Sequence, residues 1–379
     1  MQMRLFDFFT LLQPWHTWLV VYLLSLPGVG RRTVVAVLCD LLQNQTKPDQ
    51  LWGWGRDRVA FAKIYKNADL LENSDAIEQF YNSHINRLKR SGVSVVVIGS
   101  KEYPKQFYSC DDPPSVLYAK GNLALATSDL VAVVGSRKMT GYGTSVTRAI
   151  TRQLVADGYS IVSGGMYGVD ECAHREVLAW DGETIAVLGY GFDHSYPARM
   201  RFLCDTILEK NGLLLSEYLP EVEPRPGFFV ERNRIIAGLS QGVVVTEAAQ
   251  RSGSHSTAIC AAENGRAVFA VPGAITNPYS EGTKWLINQG ATLITSGYEV
   301  SEALGKRASR QLDQDEASEL SEEQPIESKI TALLQQSPLT LEQLAAAVKE
   351  SLKTVIIAVS QMEIRGELVK DGILWYPKQ

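Results

Sequence analysis

From residue 128 to about 300 the chain repeats one pattern: a short apolar run rich in β-branched residues, a small or polar punctuation, then a stretch of helical period. The apolar runs span 130–134, 160–162, 184–188, 213–215, 242–245 and 267–271. Each ends in Gly, Ser, Pro or Thr-Glu, as strands do when they feed a helix. Runs that are apolar throughout, rather than at alternate positions, are buried on both faces. The pattern therefore predicts an α/β fold, a Rossmann-like and mostly parallel sheet with helices on either side. On such a sheet ligands bind at the carboxyl ends of the strands.

The flanks follow other periods. Residues 1 to about 125 read mostly helical at first. An amphipathic run over 15–24 leads into Leu26-Pro27-Gly28-Val29-Gly30-Arg31-Arg32, and a second run covers 33–42. Helix, Pro-Gly-Val-Gly turn and helix is the pattern of a helix-hairpin-helix (SAM-like) domain. Its glycines permit positive φ and turn backbone N–H groups toward a phosphate at the next helix start. A plain αα-hairpin with a glycine turn fits the same residues. After residue 328, Ile330, Leu333 and Leu334 mark a short helix, Thr340-Leu341-Glu342-Gln343 has capping-box spacing for a second, and Ser351 can cap a third. Leu368 to Trp375 then forms two strand runs around Asp371-Gly372, a hairpin signal. Three helices and a hairpin suggest a winged helix. The expected organisation is a helical domain with its lead-in over 1–125, the Rossmann-like domain over 126–305, a linker over 306–327 and the winged helix over 328–379.

Charge changes the picture in one place. The net charge of −5 carries no basic footprint for nucleic acid. Seven acidic residues fall between Gln311 and Glu327, however, with no Lys or Arg, and this stretch reads as a solvated linker. Without it the rest is near neutral, so any DNA contact must come from a local cluster. The five cysteines are scattered and form no C-x-x-C pair, which argues against a zinc ribbon or a disulfide framework. No secretory leader opens the sequence, and the longest early apolar run, 18–26, is about half a membrane span. A soluble cytoplasmic protein without membrane contact is expected.

The first β–α turn is Gly135-Ser136-Arg137. Gly135 lets the backbone approach an anion, Ser136 offers a hydroxyl, and Arg137 can fork onto a phosphate. A dinucleotide fingerprint would need G-x-G-x-x-G here and an acid closing the second strand. Instead the second strand ends in Ser163-Gly164-Gly165, so no nicotinamide or other cofactor is expected. Gly164 and Gly165 supply small residues and amides. The fifth strand leads through Thr246-Glu247 into Arg251-Ser252-Gly253-Ser254, a second anion turn at a helix start. Several phosphate-sized sites along one rim suit a polymeric backbone better than one small ligand. The five histidines show no metal spacing, and His174 reads as a packed helix residue. Glu217 and Glu247 follow strands and could pair as acid and base, although an isolated Glu there usually caps a helix or holds an Arg.

The blocks VAVVGSR, IVSGGMYGVDECAH, IAVLGYGFDHSYP, LLLSEY, ERNRIIAGLSQGVVVTEAAQRSGSHSTA and AVFAVPG, in this order over 95–300, resemble the DNA-processing protein A (DprA, also Smf) family. Tyr103-Pro104, Asp112-Pro113-Pro114, Leu117-Tyr118 and Gly121 match its lead-in. The resemblance implies a non-enzymatic protein that binds single-stranded DNA, forms a homodimer through the Rossmann-like domain and loads RecA recombinase during natural transformation. It implies DNA contacts from Arg137 and Arg251, with Gly135, Ser136, Ser252, Gly253, Ser254, Asn233 and Arg234 on the same motifs. The chain departs from the family pattern at Tyr167, where an Arg is usual, at Met200, where an Asn is usual, and at His255.

Two other functions compete. A nucleotide phosphoribohydrolase of the lysine-decarboxylase-like type shares the core but carries P-G-G-x-G-T-x-x-E at a strand end, where this chain reads Val245-Thr246-Glu247-Ala248-Ala249. A transcription regulator would need a recognition helix rich in Arg, Asn or Gln, and 352–364 offers Lys353 and Gln361.

Overall fold

The computed structural model describes residues 85–250, 252–306, 326–336, 338–348, 350–371 and 374–377, with scattered positions between 19 and 83. The turn of the expected helix-hairpin-helix, with Arg31 and Arg32, and residues 307–325 of the acidic linker lie outside them. Two compact units are present: Met1–Met139 with Val146–Ala308, and Thr140–Ser145 with Ser309–Gln379.

The large unit is built on a nine-stranded sheet. In chain order its elements are β1 (Ser94–Val97), β2 (Val116–Gly121), β3 (Leu130–Val134), α1 (Gly141–Ala156), β4 (Ser160–Ser163), α2 (Val169–Ala179), β5 (Thr184–Leu188) and α3 (Met200–Glu209). There follow β6 (Leu213–Ser216), α4 (Pro226–Leu239), β7 (Gly242–Val245), α5 (Ser254–Glu263), β8 (Ala267–Ala270), α6 (Glu281–Asn288), β9 (Thr292–Leu293) and α7 (Gly297–Ala303). The spatial order is β1-β2-β6-β5-β4-β3-β7-β8-β9, parallel from β6 to β9. Every residue of β3, β5 and β7 is buried, because helices cover both faces and leave no solvated side for polar residues. Each large aliphatic side chain so buried contributes roughly 1.5–3 kcal/mol.

The six apolar runs became β3 to β8, each in its expected place. The lead-in did not stay outside the sheet. β1 pairs antiparallel with β2, and β2 pairs antiparallel with β6, setting Gly121 opposite Leu213. The boundary expected at 125/126 therefore cuts through one continuous sheet. From β3 the chain winds outward to β6, then α4 carries it back to β7 on the other side of β3. Strand order reverses there, and a crevice opens beyond the carboxyl ends of β3 and β7.

The small unit has α8 (Ile326–Gln336), α9 (Leu341–Val348), α10 (Leu352–Ile364) and a hairpin of β10 (Leu368–Asp371) with β11 (Leu374–Pro377). The capping box is reciprocal. Gln343 N donates to Thr340 Oγ1 at 3.3 Å, and Thr340 N donates to Gln343 Oε1 at 2.9 Å. Ser351 Oγ accepts from Thr354 N at 3.2 Å and starts α10. Ile330, Leu344, Val355, Val359, Leu368 and Trp375 form its core. No helix of the described residues is long and apolar enough to cross a membrane.

Candidate functional site

The turn after β3 is tied to its neighbours through the backbone. Ser136 N donates to Glu247 O at 2.7 Å, and Val169 N donates to Ser136 O at 3.1 Å. A Cβ on Gly135 would stand 2.6 Å from both Glu247 O and Val169 Cγ2, so only glycine lets β3 and β7 release their chains this close together. Ser136 is not free to meet a ligand. Its hydroxyl accepts from Lys138 N and donates to Lys138 O, both at 3.0 Å, which folds the turn. The effect is to thrust Arg137 and Lys138 into solvent at the lip of the crevice. The Arg137 guanidinium lies 5.7 Å from the ring centroid of Phe229.

The turn after β7 faces it. Ser254 N donates to Ser252 Oγ at 3.3 Å, and the two serine hydroxyls are 2.8 Å apart. Gly253 precedes the first turn of α5, and a Cβ there would meet nothing within 4 Å. That open space leaves the helix start accessible to an anion. Arg251 lies outside the described residues.

Between the turns lies a cavity of about 410 Å³, floored by Arg232 and Asp170. Arg232 sits on α4 and is 3% exposed. One of its terminal nitrogens donates to the carbonyls of Gly164 and Val187, and its Nε donates to Asn233 Oδ1 at 3.2 Å. Burial pulls Arg232 down to about 10 and Asp170 holds it up, so the guanidinium stays charged at neutral pH. Burial likewise raises Asp170, against the opposing pull of Arg232. Asn233 then reaches across: its Nδ2 donates to Gly253 O at 3.2 Å and to Ser256 Oγ at 2.7 Å. One asparagine thus ties the buried cation to the second anion turn.

The structure brings Gly135, Ser136, Arg137, Asn233, Ser252, Gly253 and Ser254 together around this cavity. Gly164 and Gly165 are placed differently. A Cβ on Gly164 would stand 2.5 Å from Asp170 Oδ2 and 2.8 Å from Arg232 Nη2, so Gly164 makes room for the buried pair instead of offering an amide. Gly165 adopts φ +62, a conformation that favours glycine. Arg234 is a correction. Its guanidinium is turned into a half-buried ion pair with Glu217 and Asp112 and does not line the cavity. Glu217 therefore holds an Arg, and Glu247 accepts from Asn277 Nδ2 at 3.2 Å. Neither carboxylate lines the cavity, so they form no acid–base pair across it. His174 is packed as expected, its Nδ1 2.7 Å from Thr184 Oγ1. Among the described residues no three His, Cys, Asp or Glu could hold a metal ion.

Lys138, Phe229 and Asp170 line the cavity without having been singled out, and Arg232 joins them from the Arg232-Asn233-Arg234 run that precedes a strand in the sequence. Lys138 was within reach, being next to Arg137 in a turn already marked. The buried Arg232–Asp170 pair joins residues 62 apart in sequence, and no local spacing announces it.

Comparison with known proteins adds matches of three kinds: a family, individual relatives and solved structures. Residues 94–305 match the family described as DNA recombination-mediator protein A. The chain is 41% identical over 235 residues to the DNA processing protein DprA of Bacillus subtilis, covering 61% of this chain and 79% of that protein. With the protein Smf of Escherichia coli it shares 44% over 217 residues, covering 57% and 58% of the two chains. Among solved structures, DNA processing protein A from Streptococcus pneumoniae superposes with a TM-score of 0.64 at 34% identity, over 76% of this chain and 97% of that one. DNA processing protein A from Helicobacter pylori, whose structure addresses its own single-stranded DNA binding mode, gives 0.51 at 33%, over 56% and 95%.

Proposed function

This chain belongs to the family of DNA recombination-mediator protein A, and from that membership and the crevice between β3 and β7 we propose that it binds single-stranded DNA along the carboxyl rim of its sheet. The observation that carries the proposal is the pair of backbone turns facing each other across a cavity lined by Arg137, Lys138 and Arg232, with Asp170 as its one carboxylate among the described residues. Phosphates meet Arg137 and Lys138 on one side and the helix-start turn Ser252-Gly253-Ser254 on the other; the family resemblance adds Arg251, the residue before Ser252 in sequence. Gly135, Ser136, Gly164, Gly165 and Asn233 hold the turns and the floor in place. Phe229 lines the wall and backs the Arg137 guanidinium. A concave, narrow rim receives an unpaired strand, whereas reading a duplex takes a helix or ribbon that protrudes into the major groove.

Further roles follow from the family resemblance. The protein passes incoming strands to RecA recombinase during natural transformation, acts in the cytoplasm as a homodimer, and needs no cofactor. Exposed Ile275, Trp285 and Leu293, near the edge strand β9, supply apolar surface for the homodimer. The element order of the small unit, three helices and a hairpin, supports reading it as a winged helix.

Fluorescence anisotropy with single- and double-stranded oligonucleotides of one sequence tests the central claim. Single strands are expected to bind more tightly, with affinity falling steeply as salt rises. Tighter binding of duplex, or affinity indifferent to salt, sinks it.

A further inference from the structure

The crevice has an aromatic margin on one side. Phe229 on its wall is followed outward by Tyr196, their ring centroids 5.4 Å apart, and Tyr196 is 44% exposed. Met166 lines the cavity, and the next residue, Tyr167, is half-buried with the Arg199 guanidinium 5.2 Å over its ring. Arg199 is steadied from behind by Glu171 at 3.3 Å, which also holds Arg175 at 3.0 Å. In the first turn of α3, Arg201 and Phe202 both project, Phe202 being 70% exposed.

These groups follow β4 and β5, whose carboxyl ends lie on the same rim as the crevice. Rings alternating with guanidinium groups are what an unpaired strand requires, since every base has a face to stack and every phosphate a charge to meet. The acids among them, Glu171 and Asp205, each lie against an Arg, and neither approaches a ring in the contacts above. Arg199 also returns, over the ring of Tyr167, a cation to the position where Tyr167 stands in place of the family's usual Arg.

We propose that the strand leaves the crevice past Phe229 and runs over Tyr196 and Tyr167 toward α3, with one base stacked on the Tyr196 ring, another on the Arg199 guanidinium that the Tyr167 ring supports, and phosphate against Arg201. The track rests on the reading of the crevice as a single-strand site and sets its direction and length. Continuity with the cavity wall through Phe229 and Tyr196 is the reason the occupant is the same strand and not a second partner.

The test compares oligothymidines of about 15 and about 5 nucleotides, bound to the full chain and to its variants. In Tyr196→Ala and Tyr167→Ala the longer strand is expected to bind about fivefold or more weakly, while the shorter one, confined to the crevice, changes little. Tyr167→Phe keeps the ring and is expected to bind like the parent, and thermal melting confirms that each variant is folded. Loss with Tyr167→Phe equal to that with Tyr167→Ala would overturn stacking there. Equal weakening of both lengths, or parent-like binding of the longer strand while Arg137→Ala is weakened, overturns the track and leaves the crevice reading intact. If Arg137→Ala also binds like the parent, the crevice reading itself has failed.

Discussion

Two regions of this molecule present a candidate surface for nucleic acid, and they are built on opposite principles. Along the rim of the large unit, exposed Arg137 and Lys138 stand on a turn fixed by backbone hydrogen bonds, and a buried guanidinium lies behind them. On α10 of the small unit, the surface holds Leu352 at 43%, Ile356 at 42% and Ile357 at 51% exposure, with Lys353 as the nearby cation. The rim spends its polar groups on holding charge in place. The helix spends its core-facing residues on folding and leaves apolar surface outward. A domain's outline is thus a weaker guide to DNA contact than what anchors its charges.

The largest expected effect strikes the rim's foundation. Arg232→Met leaves Asp170 buried without its partner and strips a donor from the carbonyls of Gly164 and Val187. Unfolding in urea is expected to show a loss of about 3–5 kcal/mol. Adding Asp170→Asn should restore part of it, and a double variant no more stable than the single one would show that the pair is not what supports the floor.

Next comes the lip. Arg137→Ala is expected to weaken single-strand binding ten- to hundredfold, about 1.5–3 kcal/mol, by removing one charge-assisted phosphate contact. The salt slope should flatten by about 0.7. Because Arg137 is exposed, melting temperature should hold. A large drop in melting temperature would recast it as a structural residue.

Acid should distinguish the units by stability. Burial pushes His174 down to about 3, below its unfolded value near 6.5. Its contribution is therefore fully present above pH 6.5 and is withdrawn as pH falls toward 3. Between pH 6.5 and 5 that is about 2 kcal/mol taken from the large unit. Urea unfolding of His174→Gln at both pH values should show a shallower loss than the parent, and parallel losses would rule the histidine out.

The smallest effect is expected where the apolar helix lies. Ending the chain after Lys306 keeps the salt bridge from its ammonium to Asp129, at 2.8 Å, and its stacking 3.9 Å over Tyr159. Anisotropy should find single-strand affinity within about twofold of the parent, since the phosphate contacts proposed above all come from the large unit. If binding disappears with the small unit while Arg137→Ala binds normally, the comparison above is reversed.

What the sequence disclosed follows the reach of local patterns. β3 through β8 were legible because burial on both faces writes itself as an unbroken apolar run, and the Gly135 turn because a strand must stop before its helix. β1 and β2 were missed because they lie in a region whose start reads helical, and β9 because two residues carry no period. Arg234 was misplaced for a different reason. Its partners Glu217 and Asp112 come from separate elements, so an arginine beside an anion motif looked free when it was already neutralised. Arg232 had the opposite fault, a charge in a helical pattern that reads as surface until the fold closes over it.

The antiparallel pair β1–β2 has a consequence for how this sheet avoids sticking to itself. β6 would otherwise be an outer strand of four buried, mostly leucine residues, with one row of N–H and C=O groups unpaired. Bare edges of that kind recruit strands from neighbouring molecules and seed aggregates. β2 covers that edge and β1 covers β2, ending the sheet on a strand whose first residue, Ser94, is exposed. The family match begins at that same residue. A fragment started at 126 removes the guard and should precipitate, whereas one started ahead of Ser94 carries its own protection.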